Sequence, residues 1–192
     1  MSNRRVQITE EKLLSDNWYV LKRFTFDYLK KNGEWTTQQR EAYDRGNGAT
    51  ILLYNPEADT VILTRQFRLP TFVNGNPSGM LIEACAGLLD DEHPDDAIRR
   101  ETEEETGYRI ESVQKIMEAY MSPGSVTEKL YFYIAHYSAD TQRNEGGGID
   151  EEEIDILEIP LTKALDMVNS GEIMDGKTIM LLQYLRLKQL AN

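Results

Sequence analysis

One cysteine, Cys85, is all the chain contains, which rules out an internal disulfide and fits a reducing compartment. Histidine is nearly as scarce, and neither His93 nor His136 has zinc-ligand spacing. Apolar runs are short, and none approaches the roughly 20 residues of a membrane-spanning helix. The polar Met1–Glu11 start lacks the apolar core of a signal peptide, so a soluble, cytoplasmic protein is expected. Positive charge is in deficit: 21 Lys and Arg against 33 Asp and Glu give a net charge of −12. That balance argues against a nucleic-acid partner and against docking on an anionic membrane surface. What remains is ordinary globular composition, 192 residues at 40% hydrophobic and 28% charged. This is enough for one well-buried core, or one core and an appendage.

The pattern along the chain divides in two. Between Trp18 and Tyr43 residues alternate, with Phe24, Phe26 and Tyr28 on one face of a strand. Asn32-Gly33 is a hairpin turn signal, and Trp35 to Arg40 reads as the returning strand. A lone hairpin is marginal in water, so this one must pack against something. Gly46-Asn47-Gly48 then forms a short link. Beyond it, Ala49–Tyr54 and Thr60–Arg65 read as buried strands, and Met80–Ala84, Val113–Ala119 and Lys129–Tyr137 as further strands. Leu161–Asn169 and Thr178–Leu190 carry apolar residues at helical spacing. Strands followed by helices in this order predict a mixed sheet sandwiched between helices.

The densest chemistry lies in Arg100-Glu101-Thr102-Glu103-Glu104-Glu105-Thr106-Gly107. Read as a helix, it sets Glu101 and Glu105 one turn apart on one face, with Glu104 beside them and Glu103 pointing away. Pro94 suits the first turn, Asp95 and Asp96 suit its positive end, and Gly107 is a left-handed stop. Like charges at this spacing cost roughly 0.2–0.5 kcal/mol per pair. An oxygen-preferring divalent ion would offset that cost, Mg²⁺ first and Mn²⁺ as the alternative.

Together with Gly87 upstream, this order of residues resembles the signature of the Nudix hydrolases, which cleave nucleoside diphosphates linked to another moiety. Two departures stand out. The gap from Gly87 to Arg100 is one residue shorter than the usual pattern, and Thr102 fills a position that is normally aliphatic. The resemblance extends over nearly the whole chain, within the branch of ADP-ribose and GDP-mannose pyrophosphatases. It implies an α/β fold, the Nudix α/β/α sandwich with a mixed sheet and an N-terminal antiparallel β appendage. Residues 1–45 would be the appendage, exchanged between the subunits of a homodimer, and 46–192 the hydrolase domain.

Site roles follow from the same resemblance. Glu101, Glu105 and the carbonyl of Ala86 are implied metal ligands, and Glu152 an additional one. Glu152 belongs to an acidic run, Asp150-Glu151-Glu152-Glu153, that follows three glycines able to let it swing towards a site. Glu151 or Glu153 could be the general base, and the residues alone leave the choice open. Trp18, Gln39, Arg40, Glu41, Arg68, Ala86, Gly87, Leu88, Glu128 and Lys177 are the implied substrate contacts. The implied reaction is GDP-mannose plus water giving GMP and mannose 1-phosphate, with ADP-ribose hydrolysis as the alternative. A non-catalytic nucleotide-sugar sensor is disfavoured because the box carboxylates are kept and no basic domain is present. Gly171 to Thr178 also satisfies the spacing G-x-x-x-x-G-K-[ST], but a helix precedes it where a phosphate-binding loop needs a strand. A turn into the last helix is the expected structure there, with Asp175 and Gly176 making it.

Overall fold

In the computed structural model, residues 5–148 and 153–191 are described. They form two compact units, each built by its own rules. One comprises the chain up to Asn47 together with Tyr120–Lys129; the other comprises Gly48–Ala119 and the chain from Leu130 on.

The first unit is a three-stranded antiparallel sheet in the order β1-β2-β3, with β1 Val6–Ser15, β2 Val20–Leu29 and β3 Trp35–Asp44. The expected hairpin is β2–β3. Its register sets Phe24 opposite Arg40, Phe26 opposite Gln38 and Leu29 opposite Trp35. Gly33 takes φ 87°, and the Asn32 side chain accepts from the Glu34 N–H at 3.1 Å, which closes the turn. The strand β1 is an addition to that expectation. Two register shifts, at Ile8/Glu10 and Leu13/Ser15, break its alternation, and its residues are mostly exposed. A bulged strand with two wet faces carries no clean period for the eye to find. The Ser122-Pro123-Gly124 segment turns back against β3, where the Tyr43 N–H donates to Ser125 O at 2.8 Å and Thr127 N–H to Tyr43 O at 3.0 Å.

The second unit is a seven-stranded sheet ordered β10-β5-β4-β9-β8, with β6 added to β5 and β7 to β4. Its strands are β4 Gly48–Asn55, β5 Thr60–Phe67, β6 Met80–Glu83, β7 Ala86–Leu88, β8 Gln114–Tyr120, β9 Lys129–His136 and β10 Asp155–Pro160. Strand β4 is buried along its full length and runs parallel to β9, the pairing that makes the sheet mixed. Side chains alternate across it. Ala49, Ile51 and Leu53 pack with Ile98 of helix α2 (Pro94–Thr106), along with Tyr133 and Ala135 of β9. On the other face, the Tyr54 hydroxyl accepts from Gln189 at 2.7 Å, a residue of helix α4 (Gly176–Leu190). Helix α3 (Leu161–Ser170) precedes α4, and a short helix α1 (Leu69–Val73) follows β5. Helices therefore cover both faces, as the sandwich requires. Among the described residues no helix is long and apolar enough to cross a membrane.

The feature that positions the site is a split in this sheet. Strands β4 and β5 pair only from Leu53–Asn55 to Thr60–Ile62. Beyond that they diverge, and β6 continues the ladder on β5 while β7 continues it on β4. Ala84 and Cys85 bridge the gap. Cys85 O accepts from the Ile51 N–H at 3.0 Å and the Thr50 hydroxyl at 3.0 Å, and the Ala84 N–H donates to Thr178 Oγ1 at 2.6 Å. Every polar group of the bridge named here has a partner, so the split is stable although buried.

Candidate active site

Helix α2 delivers the acidic box into that split. Pro94 occupies its first turn, Asp95 and Asp96 follow, and Gly107 ends it at φ 77°. Thr102 is fully buried where an aliphatic residue is usual, and its hydroxyl donates back to Ile98 O at 2.5 Å. Thr106 does the same to Thr102 O, so neither hydroxyl is orphaned. Arg100 bridges the box from outside, with Nη1 at 2.9 Å from Glu101 and 3.0 Å from Glu104, and Nε at 3.4 Å from Glu92.

Glu105 is different. It is 5% exposed, and its Oε2 has no hydrogen-bond partner among the described residues. Burial raises its pKa to about 8; the Cys85 thiol beside it opposes the rise by hydrogen bonding, while Glu101 and Glu83 add to it. The thiol itself is pushed well up by burial and by the same carboxylate, so it is a donor and not a nucleophile. Gly87 makes room for Glu101, since a Cβ there would overlap the Glu101 carboxyl group. A carboxylate with an uncompensated buried oxygen, set beside a second one folded over a glycine, suits a hard divalent cation. No group of three His, Cys, Asp or Glu side chains among the described residues forms a ready cage. Glu151 and Glu152 lie outside the described residues, and Glu153 is exposed at the edge of them.

The glycine stretch is tied to the end of the box helix. Gly147 and Gly148 donate to the carbonyls of Glu105 and Glu104 at 2.9 and 3.0 Å, and Asn144 N–H donates to Gly107 O at 2.9 Å. Gly146, Gly147 and Gly148 take φ of 60°, 97° and 88° in order to do so. The glycine stretch is thus a cap on the C-terminal end of the box helix. That satisfies carbonyls which α2 cannot satisfy itself.

On the other side of the bridge lies a second buried carboxylate that the sequence reading missed. Glu83 is 2% exposed; its Oε1 accepts from Arg68 Nε at 2.6 Å and its Oε2 from Lys177 Nζ at 2.5 Å. Asp175, which caps α4 by accepting from the Thr178 N–H at 3.0 Å, also stands 3.1 Å from Lys177. Burial alone would raise the Glu83 pKa, but the Lys177 ammonium and the Arg68 guanidinium overcome it and hold the group below its usual value. The signal was present in Ile82-Glu83-Ala84-Cys85-Ala86, a single charge inside an apolar run. Lys177 is accordingly a residue of a helix start, and the apparent phosphate-loop pattern is the capped entry to α4.

Ala86, Gly87 and Leu88 form β7, paired with Thr50, Ala49 and Gly48. The remaining expected contacts belong to the first unit. Trp18 is 83% exposed just before β2. In β3, Gln39 Nε2 donates to Thr25 Oγ1 at 3.2 Å and Arg40 to Gln39 O at 2.7 Å, while Glu41 is exposed. Glu128 lies 3.5 Å from Arg45. A cavity of about 800 Å³ lies elsewhere, lined by residues that include Arg109, His136 and Gln142. It has no part in the box chemistry.

A family described as the NUDIX domain matches residues 44–176, and one described as the GDP-mannose pyrophosphatase NudK N-terminal domain matches residues 5–43. The chain belongs to the Nudix family. It is 58% identical to the GDP-mannose pyrophosphatase of Pectobacterium atrosepticum over 93% of each chain. It is 55% identical to that of an Enterobacter species over 97% of each, and 52% identical to that of Escherichia coli over 97% of this chain and 98% of that one. Among solved structures, an ADP compounds hydrolase superposes with a TM-score of 0.74 at 18% identity, covering 100% of this chain and 97% of the other. At that identity the likeness speaks for the Nudix fold alone, which agrees with the expected architecture.

Proposed function

We propose that this Nudix chain hydrolyses GDP-mannose to GMP and mannose 1-phosphate, using Mg²⁺, as a cytoplasmic homodimer. The observation that carries this reading is the 5% exposed Glu105 carboxylate beside Glu101, one oxygen of which has no hydrogen-bond partner among the described residues. It occurs in a chain at least 52% identical to GDP-mannose pyrophosphatases over nearly its whole length. Glu101, Glu105 and the Ala86 carbonyl would hold the cation, with Glu152 joining them. A bound divalent ion polarises the P–O bond and makes a coordinated water more acidic. Arg68 and Lys177 hold the anionic diphosphate, and Gly87 and Leu88 offer it a close approach to backbone. A carboxylate of the acidic run, Glu151 or Glu153, takes the proton of the attacking water. The water oxygen bonds to phosphorus, the bridging P–O bond breaks, and the leaving phosphate keeps the electron pair.

In the same reading the N-terminal sheet of one subunit completes the site of the other. Trp18, Gln39, Arg40 and Glu41 would then meet the nucleotide sugar, with Trp18 stacking on the base for roughly 1–3 kcal/mol; Glu128, outside that sheet, would be a further contact. The exposure of Trp18 at 83%, Ile8 at 65% and Leu13 at 52% supports this, because a three-stranded sheet leaving such residues bare has surface to bury. Two experiments test the proposal. A panel of GDP-mannose, ADP-ribose and other nucleotide sugars assayed with Mg²⁺ should give GDP-mannose the highest kcat/KM; a clear preference for ADP-ribose would overturn the substrate. Mixing Glu105→Gln subunits with Arg40→Ala subunits should restore activity, since shared sites leave one site in each heterodimer free of both lesions. No recovery despite subunit exchange would overturn the sharing.

A further inference from the structure

We infer that Glu83 is a positioning residue for the substrate diphosphate, gathering Arg68 and Lys177 into one anion clamp. This rests on the reading of those two cations as diphosphate ligands. The two cations come from elements far apart in sequence: Arg68 follows β5, and Lys177 sits in the first turn of α4. Nothing on their own elements would bring them together, and like charges repel. The Glu83 carboxylate, 2% exposed at the end of β6, takes one with each oxygen, at 2.6 and 2.5 Å. Its backbone is fixed as well, since Glu83 O accepts from the buried Thr64 hydroxyl at 3.2 Å.

The way each cation is held leaves donors over. Glu83 engages Arg68 through Nε, the guanidinium's only hydrogen bond among the described residues, and the side chain is 39% exposed. Both terminal nitrogens therefore keep their N–H groups for a phosphate, in a planar fork. Lys177 is held by Glu83 and Asp175 at 2.5 and 3.1 Å with its side chain 13% exposed, and an ammonium has three protons. Two anions against two cations leave the cluster near neutral until an anion arrives, so a chain of net charge −12 keeps a local donor set without a net positive patch. Glu83 touches no substrate in this scheme; it acts through the two donors by removing their freedom beforehand.

The test is Glu83→Gln, alone and combined with Lys177→Met, which removes the charge pair together and spares the fold a buried ammonium left with Asp175 alone. Turnover is read on the nucleotide sugar that the wild type prefers, and binding of the same compound by calorimetry in a Glu105→Gln background. Loss of the charge should raise KM and Kd by about tenfold or more, with kcat within about threefold. In the presence of Lys177→Met and Arg68→Ala, adding Glu83→Gln should change KM by less than about threefold, because nothing is left to position. An unchanged KM in folded Glu83→Gln, or an undiminished penalty in that background, overturns the inference. Should Arg68→Ala and Lys177→Met each bind the nucleotide sugar normally, the underlying assignment of the cations falls and the inference with it. A preference for ADP-ribose would change only the base and sugar, leaving the diphosphate measurement intact.

Discussion

Two buried carboxylates stand on either side of a two-residue bridge, and they are opposites. Glu83 is 2% exposed and Glu105 is 5% exposed, so burial does not distinguish them. Glu83 is fully matched by Lys177 and Arg68 and stays charged, its pKa held below the usual value. Glu105 has an oxygen with no partner among the described residues, and burial raises its pKa to about 8. The same split in the sheet thus holds one carboxylate that is complete within the protein and one that is complete only with something added. Burial measures cost; compensation tells which group is waiting for a ligand.

The largest expected difference is in the response to neutral replacement. Glu105→Gln should lower turnover on the order of 10³-fold or more, since a carboxylate at a catalytic cation contributes several kcal/mol. The metal-free protein should nevertheless melt no lower than wild type at pH 8. Glu83→Gln should do the reverse to stability, lowering it by about 3 kcal/mol because it leaves two cations short of a partner. Thermal melts of both variants without metal decide this, and equal losses would erase the contrast.

A second, smaller effect concerns pH. Glu105 titrates near 4.5 when unfolded and at about 8 when folded, so between those values the folded chain keeps a proton that the unfolded chain releases. The metal-free protein should therefore lose stability as pH rises from about 4.5 to 8, by a few kcal/mol in total, and level off above. A divalent ion entering below pH 8 must displace that proton. Calorimetric titration with Mg²⁺ in buffers of different ionisation enthalpy should find about one proton released per ion at pH 6.5, and little at pH 9. Release that does not vary with pH would place the cation away from Glu105.

The smallest effect is expected at Glu103, on the α2 face away from Glu101 and Glu105. Glu103→Gln should leave kcat/KM within about twofold and stability within about 0.5 kcal/mol. A steady-state assay beside the Glu105 variant suffices, and a large loss would mean that the facing of the helix is misread.

Much of this was readable in advance because local rules and tertiary structure agree. Helix α2 has Pro94 at its start and Gly107 at its end, and the hairpin has Asn32-Gly33, so punctuation and packing coincide. Strands β4 and β5 are built on the apolar runs Ile51-Leu52-Leu53-Tyr54 and Val61-Ile62-Leu63. Strand β10 was missed because Asp155–Pro160 follows an acidic run and alternates weakly; its partner β5 defines it, not its own composition. Strand β7 has only three residues, too few to show a period. Glu83 was missed for a related reason. Its meaning lies in Arg68 and Lys177, fifteen and ninety-four positions away, and no spacing rule spans such distances. The glycine run was legible as unusual backbone, but its anchorage to the carbonyls of Glu104 and Glu105 is a contact only the fold supplies.

The bridge of Ala84 and Cys85 works as a gauge. Strand β6 is locked in register on β5, with Glu83 opposite Thr64, and β7 on β4, with Ala86 opposite Thr50. The bridge length alone therefore sets the offset between the cation clamp at Glu83 and the Glu101 carboxylate that closes over Gly87. One residue more or fewer would turn every following β7 side chain to the opposite face. It would also pull Cys85 O off its two donors, Ile51 and Thr50. Length changes are absorbed a few positions later, between β7 and α2, where this chain is already one residue shorter than the Nudix pattern and keeps its helix in place. A length change in that loop alters a connection, whereas one in the bridge would alter a distance.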